Sequence, residues 1–161
     1  YAHDASGNVD WEAAGDAADV VRTYHPGRKI TVSAPGRIMA VGDFDKTVQI
    51  AVNFLDNACK YGGDGEIAVD CRASIGNRAT LSVLDRGQGL PESELRNVFR
   101  RFHRSENTVG GGLGLGLNVA EGLAAGMGGR VYAENRKGGG CTFTLELDLM
   151  PEYGKGEGAN G

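Results

Sequence analysis

Apolar positions along the chain switch between two spacings, every second residue and every third or fourth, and the switches mark out its elements. Ala17, Val20, Val21 and Tyr24 make a helical stripe that Asp10 caps and "HPG" ends. "KITVSA" and "RIMAVGD" read as two short strands joined through Pro35 and Gly36. A long helix is expected from about Asp45 to Tyr61, with Val48, Ala51, Val52, Leu55 and Cys59 on its inner face. Ile67, Val69, Cys71 and Ala73 alternate inward along a strand, "GN" supplies a turn, and "ATLSVLD" is the returning strand of a hairpin. Residues 91–97 predict a short helix starting at Pro91, and 98–112 carries no sustained period. A glycine run then opens a helix to about Met127, striped by Leu115, Val119 and Leu123. "GGRVYAEN" and "CTFTLELDL" form a final antiparallel pair, with Cys141, Phe143, Leu145, Leu147 and Leu149 on one face. The expected fold class is an α/β two-layer sandwich, a mixed sheet covered on one face by helices, over residues 10–149. Residues 1–9 and 150–161 are expected to be flexible ends, the second polar and glycine-rich.

Composition narrows the picture. At 161 residues, 40% hydrophobic and 24% charged, the chain has the make-up of one globular domain with room for a sizeable core. A net charge of −4 argues against a general nucleic-acid surface, and no apolar run reaches the roughly 20 residues of a membrane span. No nucleic acid and no membrane contact are therefore expected for this domain. Cys59, Cys71 and Cys141 are odd in number and far apart, which fits a reduced cytosolic chain and no disulfide framework or metal site. Glycine stands out: 27 residues, more than twice the usual share of about 7%.

The glycines cluster beside the residues that carry chemistry. In "VLDRGQGLPE", Asp85 lies on the face of Ala79, Leu81 and Val83, so it points toward the core, and a buried carboxylate needs a partner. On the long helix, Asn53, Asn57 and Lys60 fall within roughly 40° of one direction, on a face different from the apolar stripe. An Asn carbonyl suits Mg²⁺, which takes one or two protein ligands and completes its shell with waters and phosphates, and Lys60 can supply charge to those phosphates. Alone, the pattern reads first as a solvated polar face. In "GGGLGLGLNVAEGLAAGMGG", Gly112, Gly114 and Gly116 allow close backbone approach, and the helix they open offers N–H groups to an anion. The run matches neither a P-loop nor a dinucleotide fingerprint, and by itself reads equally as a linker.

In this order the clusters resemble the N box and the two glycine boxes of the GHKL ATPases, which share the Bergerat fold, and in particular the catalytic, ATP-binding domain of bacterial sensor histidine kinases. "NFLDNACKY" is similar to the N box, "DRGQG" to the first glycine box, "VFRRFHRS" to the F box, and "GGLGLGL" (Gly111 to Leu117) to the second glycine box. The resemblance covers roughly residues 10–149 and implies ATP and Mg²⁺ as cofactors. It implies that Asp85 accepts from the adenine amino group, with Gly87 and Gly89 letting the backbone pass close to the base. Asn57 would be the Mg²⁺ ligand, with Asn53 and Lys60 near the phosphates and Tyr61 beside the nucleotide. Gly112, Leu113, Gly114, Leu115, Gly116 and Leu117 would line the phosphate side. Residues 103–112 would form a lid hinged after Phe99 and Phe102, with Arg101 and Arg104 as contacts to the γ-phosphate.

Departures from the family's patterns matter too. Hydrolytic members carry a glutamate base four residues before the metal-binding Asn; here Asn53 stands there and cannot take a proton, which disfavours hydrolysis. Cys141 stands where Ser or Thr is frequent and is given no ligand role. His3, His25 and His103 lack the surroundings of a phosphoacceptor. The resemblance therefore implies a kinase domain that phosphorylates a histidine on a separate dimerisation domain and serves a response regulator indirectly. It would be cytoplasmic, or the cytoplasmic part of a membrane-anchored sensor. The alternatives are an anti-sigma-factor-like serine kinase and a nucleotide-binding scaffold.

Overall fold

The computed structural model describes residues 8–34, 38–95, 97–99 and 116–150. In chain order the elements are β1 (Asn8–Asp10), α1 (Glu12–Tyr24), β2 (Ile30–Ser33), β3 (Met39–Val41), α2 (Phe44–Tyr61), β4 (Ile67–Ser74), β5 (Arg78–Leu84), α3 (Glu92–Leu95), α4 (Leu117–Gly126), β6 (Arg130–Asn135) and β7 (Cys141–Asp148). Five strands form one sheet in the order β2-β4-β5-β7-β6, and β1 and β3 form a separate antiparallel ribbon. β2 runs parallel to β4 and every other neighbouring pair is antiparallel, so the sheet is mixed, as expected.

α2 is the central helix, packed on α1 on one side, α4 on the other and the sheet beneath. Its start is fixed locally: the Asp43 carboxylate accepts from the Lys46 N–H at 2.9 Å, a cap worth about 1 kcal/mol. Because neighbours meet it from several directions, α2 buries ten residues, among them Phe44, Ile50, Phe54 and Leu55.

The stripe expected for α1 is corrected. Val20 and Tyr24 are exposed, and the buried face is Ala13, Ala14, Ala17, Ala18 and Val21. The four alanines let the two helices approach closely. The cap of α1 is Trp11, and Asp10 instead accepts from the Glu12 N–H at 3.2 Å. In α4 the buried positions are Ala120 and Ala124, while Val119 is exposed and Leu123 half-buried. Ala73 is exposed too, although its cross-strand partner Ala79 is buried.

The two strands read as consecutive belong to different sheets. β2 joins the main sheet, whereas β3 pairs with β1 in the register Val9↔Ala40 and bridges to Leu149. Val9 is fully buried, so β1 packs as part of the described fold.

The β5 and β7 faces match the reading. Ala79, Leu81 and Val83 pair with Leu147, Leu145 and Phe143, and all six are buried. On the other face Ser82 and Thr144 share a hydrogen bond of 2.9 Å, and Arg78 and Arg130 both meet Glu146. Phe54, Phe99 and Phe143 meet with ring centroids 5.6–6.2 Å apart, which pins the 97–99 segment to the helix and the sheet. Phe54→Ala should therefore cost about 3–5 kcal/mol, read as a lowered urea midpoint at unchanged slope.

Candidate nucleotide site

Asp85 lies where β5 ends, 5% exposed, against the start of β7 and the C-terminal end of α2. It has protein partners, as a buried carboxylate needs. Its Oδ1 accepts from the backbone N–H of Gly87 at 2.9 Å and of Cys141 at 3.0 Å, and its own N–H donates to the Cys141 carbonyl at 2.9 Å. Arg136 in the β6–β7 loop donates to the Asp85 carbonyl at 2.7 Å. Among the described residues nothing donates to Oδ2. The carboxylate is thus held rigidly by one oxygen while the other remains an acceptor.

Glycines make this packing possible. A Cβ on Gly62, the cap of α2, would lie 2.7 Å from the Asp85 side chain, and one on Gly87 would lie 2.7 Å from the Gly62 backbone. A Cβ on Gly140 would lie 2.1 Å from the Asp85 carbonyl oxygen. Gly87 is therefore required by protein backbone, and the reading that it clears space for a base is not needed to explain it. Gly89 has φ of +82°, and the carboxamide of Asn135 beside it accepts from the Leu90 N–H at 2.9 Å and donates to the Leu90 carbonyl at 2.8 Å. Gly62, Gly140, Asn135 and Arg136 were missed from sequence; "YGG" after a helix and "GGG" before a strand were the available signs.

On α2, Asn53 is buried, contrary to the expectation of a polar face separate from the core. Its Nδ2 donates to the Gly116 carbonyl at 2.7 Å, tying α2 to the start of α4, and its Oδ1 is buried without a partner. Asn57 is half-buried, with no partner for its carboxamide among the described residues, and Tyr61 is 46% exposed. Lys60 is engaged: its Nζ lies 3.3 Å from Oδ2 of Asp56, whose Oδ1 accepts from His25 Nε2 at 2.9 Å. Arg28 donates to the carbonyls of Cys59 at 2.8 Å and Gly65 at 3.0 Å, closing the C-terminal end of α2.

Gly116 caps α4 and Leu117 is half-buried at its first turn. Gly112, Leu113, Gly114, Leu115, Arg101, Phe102, His103 and Arg104 lie outside the described residues. Phe99 packs in the core. Burial pushes the Cys141 thiol up to about 11, with the Asp85 carboxylate adding to the shift, so this thiol is neutral at neutral pH and is no nucleophile. Among the described residues no helix is long and apolar enough to cross a membrane.

Residues 42–151, most of the chain, match the family described as histidine kinase-, DNA gyrase B- and HSP90-like ATPases. The chain belongs to that family. Its likeness there is to the catalytic, ATP-binding domains of sensor histidine kinases. It is 38% identical to the sensor histidine kinase AruS of Pseudomonas aeruginosa over 108 residues, 63% of this chain and 11% of AruS. It is 33% identical to the signal transduction histidine-protein kinase BaeS of Escherichia coli K12 over 129 residues, 76% of this chain and 27% of BaeS. The ATP binding domain of PrrB from Mycobacterium tuberculosis superposes with a TM-score of 0.73 at 25% identity, covering 89% of this chain and 97% of that one. The chain thus spans at most about a third of the curated relatives' length and nearly all of the isolated domain.

The glycine contacts give a graded test. Gly138 and Gly140 both have positive φ, at 87° and 105°, but a Cβ on Gly138 meets nothing within 4 Å. Gly138→Ala should cost only the backbone strain, about 1–2 kcal/mol. Gly140→Ala, which must also displace the Asp85 backbone, should lower the thermal midpoint further and shift the Asp85 and Gly87 amide resonances in nuclear magnetic resonance spectra.

Proposed function

We propose that this domain binds Mg–ATP between the C-terminal half of α2, the Asp85 turn and the glycine-rich start of α4. From there it donates the γ-phosphoryl group to a histidine on a separate dimerisation domain, and so indirectly serves a response regulator. The observation that carries the reading is Asp85: a buried carboxylate locked by two N–H groups through one oxygen, with the other left to accept from the adenine amino group. Membership in a family of ATPases and likeness to sensor histidine kinases support ATP as the nucleotide.

The donor set at α2 fits Mg²⁺. Asn53 Oδ1 is a buried carbonyl oxygen without a partner, and Asn57 one turn on presents a second carboxamide with no described partner. In this reading Asn57 holds the ion, and Asn53, Lys60, Tyr61, Gly116 and Leu117 flank the nucleotide, joined by Arg104, Gly112, Leu113, Gly114 and Leu115 beyond the described residues. The ion would supply neutralisation of phosphate charge. Asn53 stands at the hydrolytic family's glutamate position and donates its amide N–H to Gly116, which supports transfer to a protein acceptor over hydrolysis.

Phosphoryl transfer also needs a nucleophile in line with the γ-phosphorus. His25 is engaged with Asp56 at the far end of α1, and His3 and His103 lie outside the described residues. The acceptor is accordingly assigned to another domain.

Two outcomes check the site. Asp85→Ala should weaken ATP binding about 10- to 150-fold in calorimetry, as removing a hydrogen bond to a charged acceptor does, and GTP should bind poorly to the wild type. Equal affinity for ATP and GTP would refute the base assignment. Asn57→Leu, which the helix tolerates, should abolish the Mg²⁺-dependent part of ATP affinity while circular dichroism stays unchanged. For the activity, the chain alone should bind ATP without labelling itself. A cognate dimerisation domain added in trans should acquire acid-labile, base-stable phosphate. Labelling of this chain itself that survives Asn57→Leu would overturn the assignment.

A further inference from the structure

Asp56 is the residue between the apolar stripe of α2 and Asn57, and it is 5% exposed. Among the described residues it carries one contact on each oxygen: His25 Nε2 at 2.9 Å on Oδ1 and Lys60 Nζ at 3.3 Å on Oδ2. A buried carboxylate shared between two basic groups cannot satisfy both fully, since a second positive charge on one side weakens its hold on the other. The His25 backbone is fixed, because its main-chain N–H donates to the Val21 carbonyl at 2.8 Å and its main-chain carbonyl accepts from the Arg28 N–H at 3.1 Å. For Nε2 to donate to a carboxylate it must carry a proton, in the neutral or the charged ring alike.

We infer that His25 is a positioning residue for the nucleotide site: through Asp56 it sets how strongly the Lys60 ammonium is held back from an anionic ligand at the Asn57 end of α2. This rests on the reading that phosphates lie beside Lys60. The charged His25 ring takes a larger share of Asp56, so Lys60 is held less strongly and nucleotide affinity rises. The neutral ring leaves Asp56 to Lys60 and affinity falls. The other ionisable groups here are few. Arg28, in the loop after α1, is committed to the Cys59 and Gly65 carbonyls; the Cys59 thiol is raised mainly by burial and stays neutral; β2, packed on α1, has no ionisable side chain.

The test measures Mg–ATP affinity by calorimetry from pH 8 to pH 5.5 in the wild type, His25→Gln, Lys60→Met and the double variant. Gln keeps a donor for Asp56 and cannot titrate, and the titration of ATP itself is common to all four proteins. Relative to His25→Gln, the wild type should gain about fivefold in affinity as pH falls, and the gain should shrink toward nothing in the Lys60→Met background. Mg–ATP should also shift the His25 ring resonances in nuclear magnetic resonance spectra, a readout on the wild type alone that holds even if a variant folds poorly. Parallel profiles for wild type and His25→Gln, a gain that persists in full without Lys60, or ring resonances that ATP leaves unmoved would each overturn the inference. No ATP binding by the wild type at any pH would instead overturn the nucleotide-site reading and this inference with it.

Discussion

The arrangement depends on one carboxylate oxygen. Oδ1 of Asp85 takes two backbone N–H groups, from Gly87 two residues on and from Cys141 across the sheet, and so joins the end of β5 to the turn beyond it and to the first residue of β7. Hydrogen bonds to an ionised acceptor are roughly twice as strong as neutral ones, and in a buried setting they also fix geometry. The close contacts of Gly62, Gly87 and Gly140 follow from that junction, because three backbone segments must converge where side chains would not fit.

α2 translates this rigidity into placement. It is capped by Asp43 at its start and closed by Arg28 at its end, and it touches α1, α4 and the sheet between them. Asn53 hydrogen-bonds across to Gly116, so the polar groups of α2 and the first turn of α4 are held as one unit and not as two neighbouring surfaces. A loosely held site would forfeit the alignment on which phosphoryl transfer depends.

Much of this was legible in the sequence. Period-two alternation located β5 and β7 and placed Asp85 inward, and the order of the boxes gave the family. What failed did so for tertiary reasons. Hydrophobicity alone favoured Val20 and Tyr24 over the alanines of α1, because it scores residues and not the clearance between helices. β2 and β3 are adjacent in sequence, and nothing in their patterns tells that β2 pairs in parallel with β4 and β3 with β1. The Asn53 amide and the Lys60 ammonium looked solvent-facing by period; Gly116 and Asp56, distant or unremarked in the pattern, decide where they go. Close backbone contacts leave little trace in a sequence beyond the glycines themselves.

The ribbon of β1 and β3 meets Leu149 at the far end of β7, and Met150 donates to the Met39 carbonyl there. The two ends of the described fold are therefore stitched together at a single corner, and Cys141, beside Asp85, begins the same strand at its other end. Eight residues of strand make a lever of about 25 Å between that corner and Asp85. The corner and the Asp85 end are the two ends of one strand, so whatever fixes the corner also fixes the line along which Asp85 lies.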